Sequence, residues 1–496
     1  MNFIPFNNQY HTLGESFYQE THPSPVSNPA LIRFNEALAE ELGIAQAEYD
    51  EAELAAVFSG NVIPEGAMPI AMAYAGHQFG NFVPQLGDGR AILLGEIDGV
   101  NGASLGVHLK GSGPTHFSRN GDGRAALGPV LREYLVSEAM YQLGVPTTRA
   151  LAAVTTGEEV ARDRLVAGGV ITRVASSFVR VGTFEYFSSQ GDVASIQKLA
   201  DHVITQNYPA LAEADNPYAA LLQAVTDRQA SLIAKWMHLG FIHGVMNTDN
   251  MSIAGETIDY GPCAFMDDYD HDQVFSSIDR YGRYAYSNQP AIGLWNLARL
   301  AESLLPLMNS DIDTAVEQAQ EVLGGYRSRH EDNWLSGMRA KCGLSTVSDD
   351  LLQEDKALIE DLLELMATSR ADFTLTFFQL SQLSAQPGEE DRECEALFGN
   401  RPAFNEWLPR WRERLAQESS SDDERQANMR AVNPVYIPRN HQIEAAIRAA
   451  EDHNDFSVFH ALHEVLQQPY VVQAGKDEYM QPPKPEEVVE RTFCGT

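Results

Sequence analysis

The hydrophobic patterning of this chain changes character near Gly191, and that change limits the folds open to it. From Leu86 to about Phe187, short apolar runs are punctuated by glycine: RAILLGEI, SLGVHLKG, RALAAVTTGEEVARD and GGVITRVASSFVR. Such runs read as a mostly β unit, with one helical pattern inserted. Beyond Gly191, helical spacing dominates, near 193–207, 218–239, 291–307, 311–326, 348–369 and 442–451. The expectation is an α+β chain with a β-rich unit over 66–190 and a larger α-rich unit over 191–496. Residues 1–65, with a Pro-rich opening and helical patterns at 29–42 and 52–58, read as an N-terminal extension.

The inserted helix is expected over Val130 to Leu143, where Leu131, Leu135, Ala139 and Leu143 recur every four residues and Gly144 and Pro146 supply a stop. Glu133 lies off that stripe. The polar stretch QESSSDDERQ, 417–426, reads as an exposed loop or frayed helix end, and the segment after Gln481, with three prolines, as an extended tail.

Composition narrows the function. With 44% hydrophobic and 21% charged residues over 496, the chain is enzyme-sized and globular in character. Its 69 Asp and Glu against 35 Lys and Arg give a formal charge of −34, which argues against a basic face for nucleic acid. No apolar run reaches the roughly 18–20 residues of a membrane helix, and the start lacks the basic and apolar blocks of a secretory signal. A soluble, cytoplasmic protein is expected. Cys263, Cys342, Cys394 and Cys494 are widely separated with no metal-ligand spacing, so structural thiols are expected, with Cys494 near the terminus set apart as an accessible one.

Four places carry chemistry. LGDGRAILLGE sets Gly87 and Gly89 in a tight turn before a strand, where backbone can approach a phosphate, although a plain hairpin has the same signature. Lys110 ends the strand GVHLKG, and Glu133 follows 23 residues later on the helix. That is the order in which kinase-like folds place a phosphate-binding Lys and the Glu that holds it; an unrelated surface pair is the alternative. Arg173 and Arg180, seven residues apart, offer guanidinium forks suited to polyphosphate, or simply face solvent.

The fourth is FIHGVMNTDNMSI, with Asp259-Tyr260-Gly261 starting nine residues beyond Asn250. Set against the kinase pattern H-R-D-x-x-x-x-N followed by D-F-G, His243, Asn250 and Asp259 take the His, Asn and metal-binding Asp positions. Asn and Asp oxygens are hard ligands suited to Mg²⁺. Val245 stands where a kinase carries its catalytic Asp, and a valine cannot accept a proton. Asp249 is the nearest carboxylate for that role; capping the following turn, or supporting a neighbouring ligand residue, is its other reading.

These segments, together with YAGHQFG, LKGSGPT, the second GDGRA at 121–125, NQPAIGLWNLARL and NPVYIPRNHQI, resemble the SelO family over nearly the whole chain. The resemblance implies a protein-kinase-like bilobal fold that binds ATP in a flipped orientation and transfers AMP to Ser, Thr or Tyr hydroxyls of proteins, releasing pyrophosphate. It implies nucleotide contacts at Gly87, Gly89, Arg90, Lys110, Asp122, Gly123, Arg173 and Arg180, with Glu133 holding Lys110. Asp249 is implied as the proton acceptor, and Asn250 and Asp259 as ligands for Mg²⁺ or Mn²⁺. The alternatives are a kinase acting on protein or a small molecule, UMP transfer from UTP, and a nucleotide-binding protein without turnover. Two departures stand out. Phe275 occupies the place where some family members carry a cysteine partner for a C-terminal Cys or selenocysteine, which puts redox gating through Cys494 in doubt. Gly128-Pro129 opens the Glu133 helix where polar or basic residues are common in the family.

Overall fold

The computed structural model of the chain describes residues 4–44, 49–399 and 401–492. Strands β1 (Tyr18–Glu20), β2 (Ala30–Phe34), β3 (Ile70–Met72), β4 (Gly76–Gln78), β5 (Asn81–Val83), β6 (Ala91–Asp98), β7 (Ser104–Lys110), β8 (Ala125–Ala126), β9 (Arg149–Ala161) and β10 (Leu165–Ala175) fill the N-terminal part. Eight of them form one sheet, ordered β1-β3-β6-β7-β10-β9-β2, with β8 paired to β10. β4 and β5 form a separate hairpin. Beyond β10 the chain is helical apart from the short pair β11 (Phe241–Ile242) and β12 (Ala264–Phe265), so a β-sheet region precedes a helical one.

The segment before residue 66 contributes two strands to the sheet. β1 pairs antiparallel with β3 and β2 with β9, while α1 (Glu36–Glu41) and α2 (Glu51–Phe58) bring Leu38, Val57 and Phe58 into a core with Val107, Leu109 and Leu151. The helical pattern expected over 29–42 is therefore corrected to a strand followed by a short helix. Leu31, Phe34 and Leu38 satisfy a helical period on paper, but β2 completes the sheet edge beside β9. Asn35 then caps α1 through Oδ1, which accepts the Leu38 N–H at 3.2 Å.

Helix α3 (Leu127–Gln142) starts three residues earlier than expected and is buried over nearly its whole length. It lies between β9 and β10 on one side and the helices Asn440–His453 and Ser457–Leu466 on the other, so its apolar residues encircle it rather than keep to one stripe. Its buried acids are paired: Glu138 accepts two bonds from the Arg149 guanidinium, each 2.9 Å, and one from the Ala150 N–H at 2.8 Å. Gly144, at φ +76°, supplies the left-handed residue that ends the helix. Leu131 of α3, Trp236 of α6 (Pro217–His238), Tyr260 and Ile443 share one core, which joins the sheet region to the helical region.

The helical region opens with α4 (Val181–Ser188), α5 (Val193–Asn207) and α6, and continues through α7 (Gln289–Met308). The segment 417–426 ends in a helix, Asp422–Arg430, whose N-terminus is capped by Ser421. Among the described residues no helix is long and apolar enough to cross a membrane.

Glu96 of β6 accepts the Tyr10 N–H at 2.8 Å, and burial pushes its carboxyl up to about 7. A raised folded-state value means that its contribution is complete below the ordinary carboxylate range and is lost as pH rises through about 7. Glu96→Gln keeps the acceptor without the charge. Its melting temperature is expected to exceed that of the parent at pH 8 and to converge with it by pH 5; equal melting at both values would remove Glu96 as the source.

Candidate active site

The site grows from the register of β7 and β10. Lys110, at the end of β7, stands opposite Ile171, and His108 stands opposite Arg173. Side chains alternate along a strand, so His108 and Lys110 share a face. On α3, the buried Glu133 meets two of these cations: Lys110 Nζ donates to Oε2 at 2.7 Å and Arg173 Nη1 to Oε1 at 3.2 Å. The Lys110–Glu133 pair expected from spacing is present.

Asp259 closes the cluster from the loop after β11. Its Oδ1 accepts from Lys110 at 2.9 Å and Arg173 at 2.6 Å, and its Oδ2 accepts from Arg180 at 2.8 Å. Burial opposes its ionisation, but the charges of Lys110, Arg173 and Arg180 outweigh that and hold the carboxyl well below its ordinary value. The residue sits at φ +61°, a left-handed conformation that Asp tolerates better than most, and the Gly261 N–H donates to its carbonyl at 2.8 Å. Arg180, just before α4, also donates to the Asp249 carbonyl at 2.7 Å and lies over the Tyr74 ring.

Asp249 and Asn250 lie in a single 3-10 turn, Thr248–Asn250. Asn250 donates its amide N–H to the Val245 carbonyl at 3.0 Å, so that its Oδ1 is not used in this bond. Val245 itself packs in the core with Leu131 and Tyr260, so no proton acceptor occupies that position. His243 is buried and bonded to the Ile258 carbonyl at 2.9 Å, a structural role that ties the two loops together. Asp249 is buried, its Oδ2 accepts from Gln78 at 3.4 Å, and its Oδ1 has no hydrogen-bond partner among the described residues. Burial raises its carboxyl to about 6, partly countered by Arg180. A buried carboxylate oxygen without a partner is costly unless a ligand completes it.

All the predicted residues line one cleft of about 670 Å³: Gly87, Gly89, Arg90, Lys110, Asp122, Gly123, Glu133, Arg173, Arg180, Asp249, Asn250 and Asp259. They do not contribute alike. The glycines admit a neighbouring loop: a Cβ on Gly87 would collide with the Phe117 ring, and one on Gly89 would come within 2.9 Å of the Phe117 carbonyl. Asp122 lies at the rim in an ion pair with Arg162 at 2.8 Å, outside the Lys110–Asp259 cluster.

Several contributors were not among the residues singled out from sequence. Asp88, between the two glycines, faces Arg180 at 3.8 Å and His108 at 3.2 Å. Burial keeps His108 neutral; its Nδ1 accepts from Arg173 at 2.8 Å, which leaves Nε2–H to donate to Asp88. Gly76 of the β4–β5 hairpin packs against Asp249, where a Cβ would sit 2.6 Å from Oδ1. The only sequence signal was Gly76 and Gln78 inside the segment YAGHQFG.

Among the described residues no three His, Cys, Asp or Glu side chains are grouped to hold a metal ion. Asn250 and Asp259 line the same cleft and carry oxygens of the kind that a hard divalent cation takes together with water and phosphate, and in this structure both Asp259 oxygens accept from Lys110, Arg173 and Arg180. Cys263, Cys342 and Cys394 are buried, and Cys494 lies outside the described residues. Phe275 is a core side chain packed with Tyr269 and Phe373.

A sequence profile described as "Protein adenylyltransferase SelO" matches residues 2–467. The chain belongs to the SelO family. It is similar to proteins named "Protein nucleotidyltransferase YdiU": at 57% identity from Rhizobium etli over 99% of this chain and 97% of the relative, and at 57% from Rhizobium meliloti over the full length of both. A relative of the same name from Rhodopseudomonas palustris is 58% identical over 99% of each chain. Family membership thus rests on the whole chain, loops and C-terminal helices included.

Proposed function

We propose that this protein transfers AMP from ATP to Ser, Thr or Tyr hydroxyls of other proteins and releases pyrophosphate. The proposed frame is kinase-like: residues 66–190 as the nucleotide-binding lobe, 191–496 as the helical lobe with the catalytic loop and tail, and 1–65 as an extension built onto the sheet. The observation that carries the reading is the Lys110–Glu133–Asp259 cluster facing Asp249, with Val245 where a kinase base would stand. Family membership favours AMP as the transferred group.

In this reading Asp249, with one oxygen unpartnered, accepts the proton of the acceptor hydroxyl. The hydroxyl oxygen bonds to the α-phosphorus as the bond to the bridging oxygen of pyrophosphate breaks. Lys110, Arg173 and Arg180, held close together by two carboxylates, face the polyphosphate and stabilise the charge that gathers on the leaving group. The three are already grouped, and the nucleotide would take over bonds that they now make to Asp259. Asn250 and Asp259 would hold Mg²⁺ or Mn²⁺, which supplies Lewis-acid neutralisation of phosphate charge.

Pyrophosphate release dependent on an added hydroxyl peptide, followed by a coupled assay, tests the reading; ADP formation without pyrophosphate would count against it. Lys110→Ala is expected to weaken ATP binding by about tenfold or more, since a charge-assisted phosphate contact is lost. Calorimetric titration checks this, and unchanged affinity would remove Lys110 from the phosphate site.

A further inference from the structure

Beside the predicted-site cleft lies a second concavity of about 610 Å³, whose wall carries the apolar Phe79, Ile278 and Tyr281 and the charged Asp279, Arg280 and Arg283, two cations against one carboxylate. The two hollows share Phe79 and Ile278. Phe79, at the tip of the β4–β5 hairpin, is anchored to the catalytic loop: its N–H donates to Asn247 Oδ1 at 3.0 Å, and Tyr284, whose ring packs against it, donates to the same oxygen at 2.6 Å. The wall between the hollows is therefore fixed two residues before Asp249.

The turn that carries Ile278 is also held in place yet presents bare apolar surface. The Asp279 carboxylate accepts the N–H groups of Arg283 and Tyr284 at 2.9 and 2.8 Å, which sets the turn. From that turn Ile278 is 57% exposed and Tyr281 97% exposed. Arg280 and Arg283 make no ion pair among the described residues, and Arg283 lies over the Trp295 ring at 4.8 Å. Two arginines without carboxylate partners are unusual surroundings on a chain with 69 acidic and 35 basic side chains. Exposed aromatic, aliphatic and Arg side chains around a fixed hollow are the composition of a protein-binding surface.

We propose, building on the AMP-transfer reading, that this concavity seats the acceptor polypeptide, and that it selects a segment with acidic residues near the hydroxyl to be modified. The local positive charge offsets, at this one mouth, the repulsion that a chain of formal charge −34 exerts on an acidic partner. The hydroxyl then reaches Asp249 past Phe79.

The test uses two peptides of equal length, each with one Ser: one flanked by Asp and Glu with a neighbouring Phe, the other by Lys and Arg with the same Phe. The full chain is incubated with each peptide, metal and ATP labelled on the α-phosphate. The acidic peptide is expected to show a KM lower by about tenfold or more. The double substitution R280E/R283E should reverse that preference while leaving ATP affinity unchanged. R280E alone, at an exposed position, should shift it in the same direction to a smaller extent, which keeps the test valid if the double variant fails to fold. Equal KM values for the two peptides, or a preference that R280E leaves untouched, would overturn the assignment while transfer itself stands. Absence of label from both peptides would overturn the AMP-transfer reading and this proposal with it.

Discussion

Asp259→Asn is expected to lower AMP transfer by about 10³-fold, the scale on which removing one preorganised electrostatic contact acts. Among the described residues Asp259 is the one carboxylate that touches Lys110, Arg173 and Arg180 together, so the substitution also leaves cations in a buried cluster short of a partner. Breaking a buried ion pair from one side costs about 3–5 kcal/mol, so a lower melting temperature should accompany the loss. Instability alone does not account for what is expected of the nucleotide. With the competing carboxylate gone, metal-free ATP should bind as well as before or better, while the metal no longer strengthens binding. Retained activity with unchanged metal dependence would remove Asp259 from its assigned place.

Asp249→Asn is expected to act differently. The maximal rate should fall by about 10²–10⁴-fold, the usual contribution of a positioned general base, while ATP affinity stays within about twofold. The fold should not suffer. Burial raises the Asp249 carboxyl to about 6, so its ionised form costs stability above that pH, and a neutral Asn removes the cost. The variant should therefore melt no lower than the parent at pH 8. A rate close to that of the parent would leave the turn-capping reading of Asp249 as the correct one.

Much of this arrangement was legible in the sequence because it rests on local pattern. The strand that ends in Lys110, the helix that carries Glu133 and the loop with Asn250 and Asp259 each announce themselves through period and spacing, and α5 runs over the residues its spacing indicates. Tertiary pairing was not legible. Asp88 reads as part of a Gly-Asp-Gly turn, and only the approach of β7 and the segment before α4 makes it a buried partner of His108 and Arg180. The segment Ala30–Phe34 fits a helix until its place beside β9 is known.

The helix Tyr326–Lys341 was missed for a related reason. Its sequence, YRSRHEDNWLSGMRAK, is too polar to show a stripe. It is held by a few deep contacts, among them Met338 in the core and Arg339 paired with Asp355 at 2.7 Å. Gly76 shows the same limit at the site itself. Nothing in its neighbours says that the start of a hairpin will press on the Asp249 carboxylate.

In the proposed reaction AMP, and not phosphate, leaves ATP for a protein hydroxyl. It is tested most directly by incubating the full chain, metal and a hydroxyl-bearing acidic peptide with ATP labelled on either the α- or the γ-phosphate. Label on the peptide from the α-position alone, with a mass gain of one adenylate, is the predicted result. Label from the γ-position, with a mass gain of one phosphate, would contradict it.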